Sequence, residues 1–354
     1  MVNYGVANSV AKQATVGGWK GDRNVLNFKV TEDMGSGNKL SVLLQSRFNS
    51  GNAGNNTGYV NSATGAAGDN VFEQSKVTID SAYGQVAVGR FTNAQGVADL
   101  HPFEDAAQST ASHQAVNGRH SGQFQFTTPS FGGAQLWLLN AKASSNTYLG
   151  AGTGGGYSAA WNLSTANTAT YKNPDAMHRD LSAIGVNYSN GPWFVQANSM
   201  TDLTNTKSTK IGATYTAATF KLYANQYNQK DNISTNYAAT AAVDGNAGVA
   251  AVSGAKGMKA HKATEVAVKV PYGRFNFILG HLTTDGDVQL DKTDGSTKVS
   301  KTAYGITYDI TKRTQLMAYA STVKNGDSSA TGATVNNGGF ANGHNSFFGM
   351  QHNF

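Results

Sequence analysis

The sequence predicts an all-β fold, a sixteen-stranded antiparallel β-barrel that crosses a membrane, and three observations support this prediction. The chain of 354 residues is rich in residues of strands and turns, with 41 Gly, 5 Pro and no Cys. Apolar and polar side chains alternate along segments of about ten residues. Short turns and long loops alternate between these segments. Because no linker-like change in composition divides the chain, we expect a single domain over residues 1–354.

Residues 23–33 show the alternation clearly, because Leu26, Phe28 and Val30 fall on one face of a strand and more polar residues fall on the other. Residues 39–48 repeat the pattern. The apolar face of such strands is suited to lipid and the polar face to a water-filled lumen. Strand parity places these basic residues on the polar face: Arg23, Lys29, Arg47, Lys76, Arg119 and Lys142.

The final segment, residues 344–354, is a strand by the same criterion. Phe348, Met350 and Phe354 share one face, and the opposite face is mostly polar. The ends of soluble domains usually fray. A chain that ends on an aromatic strand without a polar tail therefore predicts that this strand seals a closed barrel.

The connections between strands fall into two classes that alternate along the chain. Short turns are expected near residues 34–38, 82–84, 130–133, 190–192, 216–218, 271–273 and 311–313. Longer loops are expected at residues 12–22, 50–69, 92–118, 146–177, 202–207, 231–259, 285–298 and 325–343. These seven turns and eight loops separate sixteen strands, with the short turns at one rim and the long loops at the other.

Soluble all-β folds explain the pattern less well. A β-propeller or solenoid would show a fixed repeat, and the sequence has none. A β-sandwich could use the same alternation, but its strands are usually shorter than about ten residues. Aromatic residues also occur near the predicted strand ends, as in an interfacial girdle.

The formal charge of +6 and the pI of about 9.2 are compatible with anionic partners. The positive residues are dispersed, and no Lys/Arg run or nucleic-acid-binding motif is present. We therefore expect no nucleic-acid partner. No signal peptide precedes Val2, so an exported protein would be present here in its processed form.

Several short motifs together resemble the Gram-negative general porins of the sixteen-stranded, trimeric kind, and in particular their anion-preferring branch. The first strand and first loop match the family least. The matching motifs are V-T-E-D-M-G-S-G at 30–37, V-A-V-G-R at 86–90, T-P-S-F-G-G at 128–133, G-V-N-Y-S-N-G-P at 185–192, T-K-R-T-Q-L-M-A-Y-A at 311–320 and G-M-Q-H-N-F at 349–354.

The resemblance implies an outer-membrane pore through which small hydrophilic solutes, anions in particular, diffuse passively. It implies a homotrimer, contacts with outer-membrane lipid and lipopolysaccharide, and no cofactor. The third long loop, residues 92–118, would fold into the lumen and narrow it, with His101-Pro102-Phe103 shaping its tip. The resemblance also adds Arg90 to the pore-lining basic residues. The acidic side of the constriction would be Asp99, Glu104 and Asp105.

Two alternatives remain open from the residues alone. A substrate-specific or cation-preferring channel of the same fold is compatible with Asp80, Glu265 and Asp309, which point inward by strand parity. A barrel hydrolase would need a catalytic constellation. The sequence has no HExxH, paired-Cys or GxSxG motif. A hydrolase site could combine His101 with Asp99 or Glu104 and a loop serine such as Ser109, but polar loop residues are far more often solvated. We therefore expect no enzymatic activity.

Overall fold

The computed structural model is an all-β structure. Every described strand belongs to one sheet. No helix in the described part of the chain is long and apolar enough to span a membrane. The structure describes residues 2–8, 14–17, 24–48, 72, 74–92, 100, 102–103, 119–141, 181–201, 207–229, 261–286, 298–324 and 343–353.

Strands are named here in chain order. They are β1 (Val2–Asn8), β2 (Ala14–Gly17), β3 (Asn24–Gly35), β4 (Asn38–Phe48), β5 (Gln74–Ser81), β6 (Gly84–Thr92), β7 (Arg119–Thr127), β8 (Ala134–Ala141), β9 (Leu181–Asn190), β10 (Trp193–Thr201), β11 (Lys207–Thr216), β12 (Lys221–Gln229), β13 (His261–Tyr272), β14 (Phe275–Gly286), β15 (Lys298–Asp309), β16 (Thr314–Lys324) and β17 (Gly343–His352).

All seven predicted short turns are confirmed, since each joins an odd-numbered strand from β3 to β15 to the next strand. The turn after β3 has two residues between the strands. Gly35, Ser36 and Gly37 have φ angles of 80°, 54° and 79°. Two glycines lower the conformational cost of this turn, because glycine adopts positive φ readily.

One strand differs from the sequence prediction. β2 lies within residues 12–22, which were predicted as loop, and pairs with β1 from Gly5↔Gly17 to Asn8↔Ala14. Thr15 and Val16 are β-branched, which favours strand conformation. Because successive pairs from β3 to β17 and then to β1 and β2 are antiparallel, β2 runs in the same direction as β3. Taken as one strand position, β2 and β3 restore the predicted sixteen.

The first and last strands pair with each other. β1 and β17 are antiparallel over Val2↔His352 to Asn8↔Ser346. β1 also contacts β3. The predicted role of the last strand, to complete the sheet against the beginning of the chain, is therefore confirmed.

The two faces of the sheet separate as the alternation predicts. On β14, the outward residues Phe277 and Leu279 are 46% and 52% exposed, whereas Ile278 between them is 4% exposed. On β17, Phe348 is 58% exposed and its neighbour Phe347 only 3%. A soluble protein rarely exposes such a continuous apolar surface. A barrel in lipid requires it.

The outward face gives a direct test of membrane insertion. Ile211 is 54% exposed in the middle of β11, and the preceding Lys210 is buried on the inward face. Ile211→Lys is expected to destabilise the folded barrel by about 2–4 kcal/mol, because the charge would lie at the lipid face. Denaturant unfolding in lipid vesicles measures this. Ile211→Leu is the matched control, and equal stability of the two variants would contradict the outward assignment.

Candidate functional site: the lumen and its third loop

The third loop folds into the barrel. It leaves β6 after Thr92 and returns at Arg119, and its described residues are Leu100, Pro102 and Phe103. Leu100 and Phe103 are both 0% exposed. Large apolar side chains of a loop are buried only when other parts of the protein cover them. The partners of these residues lie on the inward face of β11–β12 and β14–β17.

The first contact of the loop is with β11 and β12. Asn225 Nδ2 donates hydrogen bonds to the Leu100 carbonyl oxygen at 3.0 Å and to Glu265 Oε2 at 2.9 Å. The Leu100 side chain packs over Gly212, where a Cβ atom would lie 2.8 Å from Leu100 Cδ1. Glycine at this position therefore provides the space that the loop occupies.

The second contact is aromatic. The Phe103 ring meets the Tyr319 ring edge to face, with centroids 5.9 Å apart and planes at 71°. Tyr319 is itself stacked near Phe347, at 6.3 Å. The Tyr319 ring covers Gly305, where a side chain would overlap it. Phe103 thus fills an apolar site on β14–β17 that also includes Ile278.

These contacts show that the third loop crosses the interior. The loop begins and ends at β6 and β7, whereas its tip lies against β11–β12 and β15–β17. The predicted inward-folded third loop is therefore confirmed. The acidic residues proposed for its constriction face, Asp99, Glu104 and Asp105, lie outside the described residues, as does His101.

Two of the predicted pore-lining lysines lie together on the wall formed by β3–β6, called the near wall. Lys29 on β3 pairs with Leu43 on β4, which pairs with Lys76 on β5, so both lysines belong to one inward row. They are close enough to interact electrostatically. Lys76 Nζ also lies 5.7 Å from the centroid of the Phe91 ring, within cation–π range.

The remaining basic residues of the prediction are less completely described. Arg23 and Lys142 lie outside the described residues. The backbone of Arg47 pairs with Val25 on β3, and its side chain is outside the described part. Arg90 pairs with Ser75, which pairs with outward Leu44, so the register places Arg90 on the outward row and not on the inward row of Lys76. The pore roles of Arg23, Arg47 and Lys142 stay predictions.

A bulge changes the register at the start of β7. The pairing of β6 and β7 shifts there, and Gly122 adopts a φ of 68°. The register consequently places His120 opposite buried Phe91, and Arg119 opposite Thr92. Simple alternation counted back from inward Gln123 gives Arg119 an inward position. The bulge inserts one residue and reverses the parity beyond it, so the register makes His120 inward and Arg119 outward.

Two buried lysines on the far wall, β11–β17, were not predicted as site residues. Lys210 on β11 and Lys301 on β15 are 6% and 0% exposed, and both interact electrostatically with Glu265, which is 3% exposed. These lysines lie beneath the loop tip, because Glu265 bonds the same Asn225 that holds Leu100. The signal that could have found them is the strand parity already used on β3.

A second polar group lies near the short-turn rim. Asp309 accepts a hydrogen bond from Gln315 Nε2 at 2.6 Å and interacts with Lys269 on β13. Asp80 similarly accepts one from Gln85 Nε2 at 2.7 Å. Among the described residues, no group of three or more His, Asp or Glu side chains could hold a metal ion. Within those residues the inward polar groups line the interior of the barrel.

Comparison with known proteins decides the family. A family model described as Gram-negative porin matches residues 2–328. The chain belongs to this porin family. Gram-negative porins form channels in the outer membrane, which accounts for the apolar outward band and the lined interior of this porin. No curated protein sequence matches it.

Solved structures of porins share the fold. The anion-selective porin from Comamonas acidovorans has 18% identity and a TM-score of 0.63, with 100% of this chain and 99% of that chain covered. Salmonella typhi OmpF in complex with daunomycin has 11% identity and a TM-score of 0.64, covering 100% and 97%. The trimer form of Vibrio cholerae OmpT has 10% identity and a TM-score of 0.60, covering 99% and 96%. At these identities the likeness concerns the fold alone.

Proposed function

We propose that this porin is a passive, water-filled pore for small hydrophilic solutes, with a preference for anions that its lumen lysines and arginines provide. The supporting observation is the charge of the inward register positions among the described residues. Carboxylates occupy four of them: Asp33, Asp80, Glu265 and Asp309. Lysines occupy seven: Lys29, Lys39, Lys76, Lys210, Lys221, Lys269 and Lys301.

The solute path lies between the third loop and the near wall, β3–β6. The tip of the loop covers the far wall, so Lys210 and Lys301 are shielded from solutes. Lys29 and Lys76 face the open side, and in this proposal Arg23 and Arg47 line it with them. A row of cations beside low-dielectric walls raises the local concentration of anions. The acidic loop residues Asp99, Glu104 and Asp105 keep anion binding weak enough for release.

The test is the reversal potential in a planar bilayer with a salt gradient across it. A unit charge about 8 Å away in water contributes about 0.5 kcal/mol. Lys29→Gln combined with Lys76→Gln is therefore expected to lower the anion-to-cation permeability ratio several-fold. Lys312→Gln in the exposed turn after β15 is the control. An unchanged ratio in the double variant would exclude these lysines, and a cation-selective wild type would favour the cation-preferring alternative.

Assembly and surroundings are part of the same proposal. The porin functions as an exported, single-domain homotrimer, a state supported by the trimer form of its structural neighbour. Outer-membrane lipid and lipopolysaccharide contact its outward face, where exposed residues such as Phe28, Leu279 and Phe348 form the apolar surface. Cross-linking of the protein in detergent measures the number of protomers. No cofactor or enzymatic step is required for diffusion.

A further inference from the structure

Two lysines lie opposite each other on the inward side of the far wall. Lys221 on β12 pairs directly with Lys269 on β13 in the register, and both side chains are half-buried. Directly opposite side chains of an antiparallel pair have Cβ atoms about 4.5–5.5 Å apart, and two like charges in this arrangement destabilise a sheet. The two ammonium groups also interact electrostatically. This lysine pair therefore concentrates positive charge at one point of the lumen.

A lysine near a short turn of the near wall has a different partner. Lys39 on β4 pairs directly with Asp80 on β5, so a cation lies opposite a carboxylate. Gln85 Nε2 donates a hydrogen bond to the same carboxylate at 2.7 Å. Opposite charges in directly opposite positions stabilise a sheet. The positive charge of Lys39 is thus balanced across the strand pair, whereas that of the lysine pair is not.

Neighbouring side chains position the lysine pair. Lys221 Nζ lies 5.1 Å from the centroid of the Tyr223 ring, within cation–π range. Thr216 on β11 pairs with Lys221 from the other side and adds a hydroxyl group to the same inward row. Lys269 interacts with the Asp309 carboxylate. Two ammonium groups with one carboxylate nearby leave an excess of positive charge.

The lysine pair lies away from the contact between the third loop and the far wall. Lys221 precedes Asn225 by four residues on β12, and Lys269 follows Glu265 by four residues on β13. Four residues of a strand span about 13 Å, and both offsets run from the loop contact towards the short turns. Lys301 beneath the loop tip is 0% exposed, whereas the lysine pair is half-buried and accessible to solutes.

We propose that Lys221 and Lys269 form a binding site for a small divalent oxyanion, the class to which sulfate and hydrogen phosphate belong. A doubly charged anion interacts with both cations at once. Its oxygen atoms accept hydrogen bonds from the two ammonium groups and from Thr216. A singly charged anion gains about half of this Coulomb energy. Asp309 keeps the binding weak enough for release. This inference rests on the proposed pore function.

Block of the chloride current by sulfate tests the site. Sulfate carries two charges at neutral pH, and perchlorate, which is also tetrahedral, carries one. Sulfate is expected to block the wild-type channel at a concentration at least several-fold lower than perchlorate. Lys221→Gln is expected to raise the half-blocking concentration of sulfate about tenfold, because an ammonium group about 5 Å from a doubly charged anion in water contributes about that factor. Adding Lys269→Gln is expected to raise it further.

Two other variants complete the test. Lys39→Gln is the matched control, because it also removes an inward lysine near a short turn, and its half-blocking concentration is expected to equal that of the wild type. Asp309→Asn removes the negative charge that interacts with Lys269 and keeps an acceptor for the hydrogen bond from Gln315. It is expected to lower the half-blocking concentration several-fold, a gain that misfolding would not produce.

The outcomes separate the two proposals. A wild-type protein that forms no channel, or a cation-selective one, contradicts the proposed anion-preferring pore. An anion-selective channel that sulfate blocks no better than perchlorate contradicts the lysine site alone. Equal half-blocking concentrations in Lys221→Gln and Lys39→Gln would also overturn the site, since they would show that the two lysines act alike.

Discussion

Replacing Glu265 with leucine is expected to destabilise the barrel by about 3–5 kcal/mol, because it leaves buried cations without their partner. Glu265 is 3% exposed and interacts with Lys210 and Lys301, which are also buried. It additionally accepts the hydrogen bond from Asn225. Denaturant unfolding of the protein folded into lipid vesicles measures the free energy of unfolding.

Two comparisons make this result interpretable. Asp309→Asn removes a carboxylate that accepts a hydrogen bond from Gln315 in the half-buried rim group, and it is expected to change stability by less than about 1 kcal/mol. Combining Glu265→Leu with Lys301→Met removes both charges, and it is expected to recover part of the loss, since apolar replacement of a buried pair is often tolerated. A loss no larger in Glu265→Leu than in Asp309→Asn would contradict the buried charge group.

Gly89→Ala is expected to destabilise the barrel by about 3 kcal/mol or more, a cost that combines backbone strain with steric overlap. Gly89 has a φ of 125°, which is strongly unfavourable for a residue with a side chain. An added Cβ would also overlap the carbonyl oxygen of Ser75 on β5. Since backbone on both strands must shift, the start of the third loop would shift with it.

Gly273→Ala separates the two causes. Gly273 lies in the turn after β13 with a φ of 60°, and nothing lies within 4 Å of a Cβ added there. This control therefore reports the cost of positive φ alone, about 1–2 kcal/mol. The same unfolding measurement serves both variants. A Gly89→Ala variant no less stable than Gly273→Ala would show that β5 and β6 do not approach as closely as described.

The period-two pattern explains why the strands and their faces were predictable from the sequence. Leu26, Phe28 and Val30 lie on the outward face because successive side chains of a strand point to opposite faces. The same rule applied to β11 and β15 would have identified Lys210 and Lys301. The hydrogen bond between Asn225 and the Leu100 carbonyl could not be predicted, because the two residues are 125 positions apart in the chain and no local pattern links them.

Alternation also has a physical limit. Arg119 was assigned by counting along its strand, and the bulge at Gly122 reverses the parity between Gln123 and Arg119. The sequence alone does not identify such a bulge, because glycine occurs in strands for several different structural reasons. The short β2 was missed for a related reason. Its four residues are too few for a pattern to be recognised, and its pairing with β1 determines its conformation.

The pairing of β1 with β17, from Val2↔His352 to Asn8↔Ser346, has a consequence for insertion into the membrane. Until that pair forms, β1 and β17 each present a row of unsatisfied N–H and C=O groups, which hydrocarbon cannot solvate. A sheet that inserts into lipid strand by strand from one end therefore has no stable partially inserted state. We expect insertion and barrel closure to be a single cooperative event, in which the first and last strands must pair before either is stable in lipid.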